Sequence, residues 1–343
     1  MSGAAGEKLR RIRNISELAK LAGVSAGTVS RALAGKDLVN QQTRERIQAL
    51  AREHGFRPNQ MASRLRTGQT GVIGVVIPLG HERRQHISDP FFMTMLGHLA
   101  DRLTEGGYDL MLTRVIPSER EDWLDRIVDS GMLDGVLMIG QSDQFETIER
   151  IAEIYRPLVV WGTRREGQRH CVVGTDSYAG GQLAARHLLA RGCRRIAFFG
   201  DTKGFEIEQR MAGARQAIVA SGTGATLEVC PVPLSQEGMS AAIAAELDRV
   251  AGAVDGTFAA SDMIAIATVR LLHERGLRVP DDIALVGFDD LPLTTQTVPQ
   301  ITTIRQDIAR GAQIMVDSLM QRIAGTDSPS EVMQPELVAR ESA

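Results

Sequence analysis

At 343 residues, with 43% hydrophobic and 24% charged side chains, the chain is too long for one ordinary domain and suits two or three. No run of about 18 apolar residues could span a bilayer. No apolar stretch follows the charges of the opening MSGAAGEKLRRIRN, and the three scattered cysteines, Cys171, Cys193 and Cys230, form no C-x-x-C pair. A signal peptide, a disulfide framework and a zinc site are therefore not expected, and the expectation is a soluble, cytoplasmic protein without cofactor.

In chain order, ISELAKLAG places Ile15, Leu18, Ala19 and Ala22 at i, i+3, i+4 and i+7, one apolar stripe of a helix that Gly23 ends. Ser25 is then a good N-cap for a second, short helix. A third helix, NQQTRERIQALAREHGF, puts Ile47, Leu50 and Ala51 on one face and stops at Gly55. Pro58 and the amphipathic run NQMASRLR follow, then the flexible joint TGQTG. From Val72 the pattern changes to β-branched runs alternating with helical stretches: VIGVVI, a helix from Pro90 to about Glu105, YDLMLT, DGVLMIG, PLVVWG, RRIAFFG, DGTFAAS and IALVGFDD. That alternation predicts parallel βαβ sheets, enough for two similar lobes.

Charge is divided unevenly between these regions. Residues 1–70 hold 13 Lys/Arg against 5 Asp/Glu, a balance of +8, and the remaining 26 and 37 give −11, so the net −3 conceals a basic head on an acidic body. A basic head predicts a polyanionic partner at that end. Two helices joined by a tight glycine turn, the second short and polar outside, form a helix-turn-helix. Its second helix has to enter a major groove about 12 Å wide, where small residues such as Ala26 and Gly27 let the backbone approach. Arg31 is the one long donor able to fork onto guanine, while Ser25, Thr28 and Ser30 can reach phosphates or base edges.

The run NISELAKLAGVSAGTVSRALAG, the following VNQQTRERIQALAREHGFRPNQMASRLRTGQTGVIGVVIP, and then DPFF, GTDSYAGGQLAARHLLARGCRRIAFFG, RVPDDIALVGFDD and ITTIRQD together resemble the lactose-repressor/galactose-repressor family of bacterial transcription regulators. The resemblance spans nearly the whole chain after the first dozen residues. It implies an all-α helix-turn-helix head (1–57), a hinge helix and linker (58–70), and an α/β core (71–343) like a periplasmic binding protein. The core's two lobes would be 71–175 with 305–334, and 176–304 with 335–343.

By the same resemblance, Ala26, Gly27 and Arg31 occupy the specificity positions of the recognition helix. In the hinge, Asn59, Ala62, Arg64 and Leu65 contact DNA, Leu65 prying open a central base step from the minor groove. Ser63 stands where many relatives carry arginine. In the core, Asp289 matches the hydroxyl-binding aspartate, Arg210 the effector-binding arginine, and Gln306 a further pocket position. Phe91 and Phe92 fall where ring-stacking aromatics sit, one expected in the core and one in the pocket. Asp262 orients its loop or touches ligand, and Ser261 replaces a common asparagine. Asp290 is expected to cap a turn.

The loop 79–89 is longer than usual, a rim whose His81 and His86 lack further metal ligands and whose Arg83 and Arg84 add positive charge. No phosphate loop, nucleophile elbow or dinucleotide fingerprint occurs, so no enzyme is expected. The expected function is a homodimeric repressor on a pseudo-palindromic double-stranded operator, released by a small sugar or sugar-like effector. A corepressor-dependent regulator and a DNA binder with a non-sensing core remain as alternatives. The ending ELVARESA carries no leucine heptads of the kind some relatives use to form tetramers.

Overall fold

The computed structural model describes residues 12, 14–33, 39–56, 69–79, 85–117, 122–141 and 143–343, in two compact units, 1–70 and 71–343. The first unit holds α1 (Ile15–Ala22), α2 (Ala26–Leu33) and α3 (Gln41–Glu53). Each begins on a side-chain cap: Asn14 accepts from Glu17 N at 2.9 Å, Ser25 from Thr28 N at 3.1 Å and Asn40 from Thr43 N at 2.8 Å. Gly23 ends α1 in the left-handed region, φ 63°, which glycine adopts without penalty. Leu18, Ala22, Val29, Ala32 and Ile47 meet in one buried cluster, so the predicted stripe is the face that packs.

The second unit is two doubly wound lobes. The first runs β1 (Val72–Pro78), α4 (Pro90–Glu105), β2 (Asp109–Val115), α5 (Trp123–Val128), β3 (Gly135–Ile139), α6 (Phe145–Ile154), β4 (Leu158–Trp161) and β5 (Cys171–Thr175). The second continues with α7 (Ser177–Ala190), β6 (Arg195–Phe199), α8 (Phe205–Ala220), β7 (Thr226–Cys230) and α9 (Gln236–Arg249). It is completed by β8 (Gly256–Ala259), α10 (Asp262–Glu274), β9 (Ala284–Asp289) and β10 (Thr302–Arg305). The chain then returns to the first lobe with α11 (Ile308–Ile323) and β11 (Glu331–Met333), and ends on β12 (Glu336–Val338) in the second.

The sheets are ordered β11-β5-β4-β3-β1-β2 and β12-β10-β9-β8-β6-β7, parallel except for the β10–β12 pair. The chain passes between lobes near residues 176, 306 and 335. Arg305 still pairs with Asp289 in the second sheet, one residue beyond the 304/305 division expected from the sequence. Both faces of the central strands are buried. In the first lobe Val75, Leu137 and Val159 face α4 and α11, while Val76, Val136 and Val160 face α5 and α6. Runs buried on both sides read as continuous hydrophobics, which is why they stand out in the sequence.

CVVGT and TLEVC form strands that the sequence reading left unmarked. The first is only five residues and runs straight into a helix cap. The second is an edge strand with two exposed positions, so its apolar signal is diluted. The three cysteines are free and buried. No described helix is long and apolar enough to cross a membrane, and the described residues hold no group of three or more His, Cys, Asp or Glu placed to bind a metal ion.

Candidate functional sites

In the head, Val29 and Ala32 turn α2 inward, leaving Ser25, Ala26 and Arg31 exposed and Gly27, Thr28 and Ser30 half-buried. The outer face therefore carries only small side chains and one guanidinium. A methyl group at Gly27 would lie 3.5 Å from an Arg31 guanidinium nitrogen, so the arginine folds back over the start of the helix. The Ser25 hydroxyl is engaged locally, capping Thr28 N and lying 2.9 Å from the Thr28 hydroxyl. Arg46 donates to Ala22 O at 2.6 Å and so ties α3 to the end of α1. Asn59, Ala62, Arg64 and Leu65 lie outside the described residues, as do His81, Arg83 and Arg84.

In the core, a cavity of about 130 Å³ opens at the carboxyl ends of both sheets, the position where doubly wound sheets bind ligands. From the first lobe it is walled by Phe91 and Phe92 at the start of α4, Gln141 after β3 and Trp161 at the end of β4. From the second come Glu206 and Arg210 of α8, Ser261, Asp289 at the end of β9, and Gln306 after β10. Phe92 is mainly a core residue, 8% exposed; half-buried Phe91 lies 6.3 Å from the Trp161 ring, tilted 46°. Together they make an aromatic wall of the kind that suits the apolar face of a sugar ring. Gly311 makes room for Trp161, since a Cβ there would fall 2.2 Å from its indole ring.

Arg210 is buried and held by two contacts. Its Nη1 donates to Ala260 O at 2.5 Å, its guanidinium carbon stands 3.7 Å from the centre of the Phe288 ring, and its Nε has no partner. Burial pulls its pKa down from the usual value, and the negative charges of Asp289, Glu206 and Asp262 oppose that. Asp289 accepts from Gln306 Nε2 at 2.6 Å and holds φ at 125°, a conformation that costs a non-glycine residue about 1–3 kcal/mol. Burial pushes its carboxyl up to about 7, against the Arg210 charge and the Gln306 hydrogen bond, which lower it. A carboxylate in a strained backbone position, near a buried guanidinium with an unpaired Nε, is a pair poised for a polar ligand.

Three expected positions have other work. Asp262 does not line the cavity: it is fully buried behind the wall, accepting from Thr303 Oγ1 at 2.6 Å and Leu291 N at 2.7 Å. Of the two roles expected for it, this geometry supplies the loop-orienting one, and its place in the pocket is corrected. Ser261 lines the cavity but also caps α10, accepting from Ile264 N. Asp290 holds Arg305 at 2.7 Å and Arg340 at 2.5 Å.

Comparison with known proteins places both units. Residues 14–59 match the model for bacterial regulatory proteins of the lacI family, and residues 185–343 match a periplasmic binding protein-like domain. The HTH-type transcriptional regulator CelR of Thermobifida fusca is 30% identical over 97% of this chain and 99% of its own. The chain belongs to the LacI family. Its LacI-type fold extends to solved structures. A CelR–cellobiose complex matches with TM-score 0.69 and 28% identity over 97% of this chain and 100% of that one. The Lac repressor dimer bound to operator and the anti-inducer ONPF matches with TM-score 0.84 and 21% identity over 97% and 99%. As a LacI-family member this protein is a DNA-binding transcriptional regulator with a two-lobed, periplasmic-binding-protein-like core.

The cavity of this LacI-family chain also contains Gln141, Trp161, Thr163, Ser177 and Glu206, none of them singled out from sequence. A signal existed for two: Trp161 ends PLVVWG and Gln141 follows DGVLMIG, the strand-end positions where open sheets place ligand groups. Glu206 gave none, because only tertiary packing turns that face of α8 toward the cavity.

Proposed function

We propose that this regulator is a repressor, that it binds a pseudo-palindromic double-stranded operator as a homodimer in the cytoplasm, and that a small sugar or sugar-like effector releases it. The observation that carries the reading is the cavity itself. A buried arginine with an unspent Nε, a carboxylate fixed by Gln306, and the Phe91–Trp161 wall form the donor, acceptor and apolar face that a polyol requires. The cellobiose complex of CelR supports the class of effector. Two-fold symmetry of a dimer accounts for two half-sites.

Ser25, Ala26, Gly27, Thr28, Ser30 and Arg31 are proposed to meet the operator's major groove, with the hinge residues Asn59, Ala62, Arg64 and Leu65 in the minor groove. Phe91, Phe92, Arg210, Ser261, Asp289 and Gln306 are proposed to contact effector. The head (1–57), hinge (58–70) and core (71–343) divide these tasks, and none of them is catalytic. The test is thermal stabilisation of the wild type and Asp289→Ala by cellobiose, sucrose, D-ribose, D-glucose and D-galactose. A ligand at 100 times its Kd adds about 2.7 kcal/mol. A sugar that stabilises the wild type but not Asp289→Ala, and lowers operator affinity, is the expected result; no response to any of them would overturn the effector reading.

A further inference from the structure

In the first lobe, the cavity wall facing Arg210 contains a second polar group whose bonding is half made. Gln141 is fully buried and lines the cavity. Its Nε2 donates to Thr163 O at 2.8 Å, while its Oε1 is buried with no hydrogen-bond partner. The bond to a carbonyl oxygen fixes the orientation of the amide, because the flipped form would set two oxygens against each other. The backbone beside it is shaped to hold this rotamer: a Cβ on Gly162 would fall 2.4 Å from Gln141 Nε2. A buried acceptor left without a donor is unfavourable, and a native structure retains one where something else supplies the partner.

Thr163 also ties the lobes together. Its hydroxyl donates to Ser177 Oγ at 3.0 Å, and its N–H to Glu206 Oε1 at 3.4 Å, both across the cleft in the second lobe. Gln141 therefore connects the cavity to the contact between the lobes through one residue. The charged side chains among the described lining residues are Asp89, Glu206 and Asp289 against Arg210 alone, so this cavity presents acceptors in excess.

We propose that Gln141 is a specificity-determining residue for the effector: its Oε1 accepts from a hydroxyl, and that contact reaches the interlobe bonds through Thr163. An acceptor-rich cavity with a buried, unpaired amide oxygen in its first-lobe wall selects a neutral polyol over a sugar phosphate or sugar acid. This inference rests on the reading of the cavity as an effector site and adds the chemistry that site requires.

The experiment is calorimetry on the full-length protein with the same five sugars, the monodeoxy derivatives of any that bind, and glucose 6-phosphate and gluconate. Gln141→Leu removes the acceptor at similar volume. The expected result is a 10–100-fold loss of affinity for the sugar the wild type binds. One monodeoxy derivative should show the same loss in wild type and no further loss in Gln141→Leu, the signature of a direct pair. Should the leucine variant fail to fold, Gln141→Asn keeps the amide but shortens its reach, with about a tenfold loss and the same dependence on one hydroxyl expected.

Binding by Gln141→Leu within twofold of wild type would overturn the proposal, as would losses that multiply for every deoxy derivative. Tighter binding of an anionic sugar than of its neutral parent would overturn the preference for a neutral polyol. In these cases the wild type still responds to sugar and Asp289→Ala does not, so the effector reading survives. If none of the five sugars binds the wild type, that reading falls and takes this inference with it.

Discussion

At the residue scale, one side chain of each proposed site makes a prediction. Arg31 is the long donor on an otherwise bare recognition face, and a bidentate pair with guanine is worth about 1–3 kcal/mol of discrimination. Arg31→Ala should relax preference at one symmetric base pair of the operator while leaving the salt dependence of binding nearly unchanged, as read from mobility shifts on single-base operator variants. Asp289 has a pKa pushed up to about 7 by burial, against roughly 4 in an unfolded chain. Between those values the folded core holds a proton that the unfolded chain has lost, so stability falls as pH rises from 4 to 7 and levels off above. Asp262, raised well above its usual value by burial and by the Asp289 charge, adds a slope of the same sign.

An effector hydroxyl donating to Asp289 favours its ionised form, so binding expels the proton. Sugar affinity should therefore increase from pH 6 to pH 8, severalfold, with Arg210, Glu206 and Asp89 as the other charged groups bordering the cavity. Asp289→Asn should flatten that dependence. A steep profile that persists in the asparagine variant would assign the proton to one of those neighbours instead. These two residues were legible in the sequence because their types and the flanking motifs, SAGTVSRAL and GFDD, are local. Gln141 was not, because a lone glutamine after a strand says nothing until Thr163 O and the cavity appear on either side of it.

At the element scale, packing decides which faces work. The α1 stripe is buried, and Leu18 is fully enclosed by the three-helix cluster. Leu18→Ala should cost about 2–5 kcal/mol there. So small a unit would then lose operator binding while the core keeps its sugar response, which calorimetric melting with and without sugar would separate. In the core, α11 approaches β4 so closely that Gly311 leaves space for the Trp161 ring. Gly311→Val should drive the indole toward the cavity and weaken sugar binding at least tenfold, with little change in the head's affinity for DNA. Periodicity revealed that these helices exist and which side is apolar. It did not reveal that α11 belongs with the first lobe, because that assignment depends on the chain's second crossing near residue 306.

At the scale of the whole molecule, a two-lobed core becomes a switch only if effector changes how the lobes meet. Besides the Thr163 bonds, Arg165 stands between Phe145 of the first lobe and Phe205 of the second, 4.6 and 4.1 Å from the two ring centres. Such cation–π contacts contribute about 0.5–2 kcal/mol each. Arg165→Ala should loosen this contact between the lobes, weakening sugar affinity severalfold and shifting the sugar concentration needed for operator release in the same proportion.

The sequence by itself determined that a basic helix-turn-helix head precedes an acidic, doubly wound body, because charge balance, helical stripes and buried strand runs are properties of consecutive residues. It also determined the family, through motifs spread along the whole chain. Only the tertiary structure decided that Asp262 supports the wall rather than forms it, that Trp161 and Gln141 complete the cavity, and that Thr163 joins the lobes. Each of those facts depends on groups from 14 to more than 40 residues apart that the fold brings together, and no local pattern encodes such a meeting.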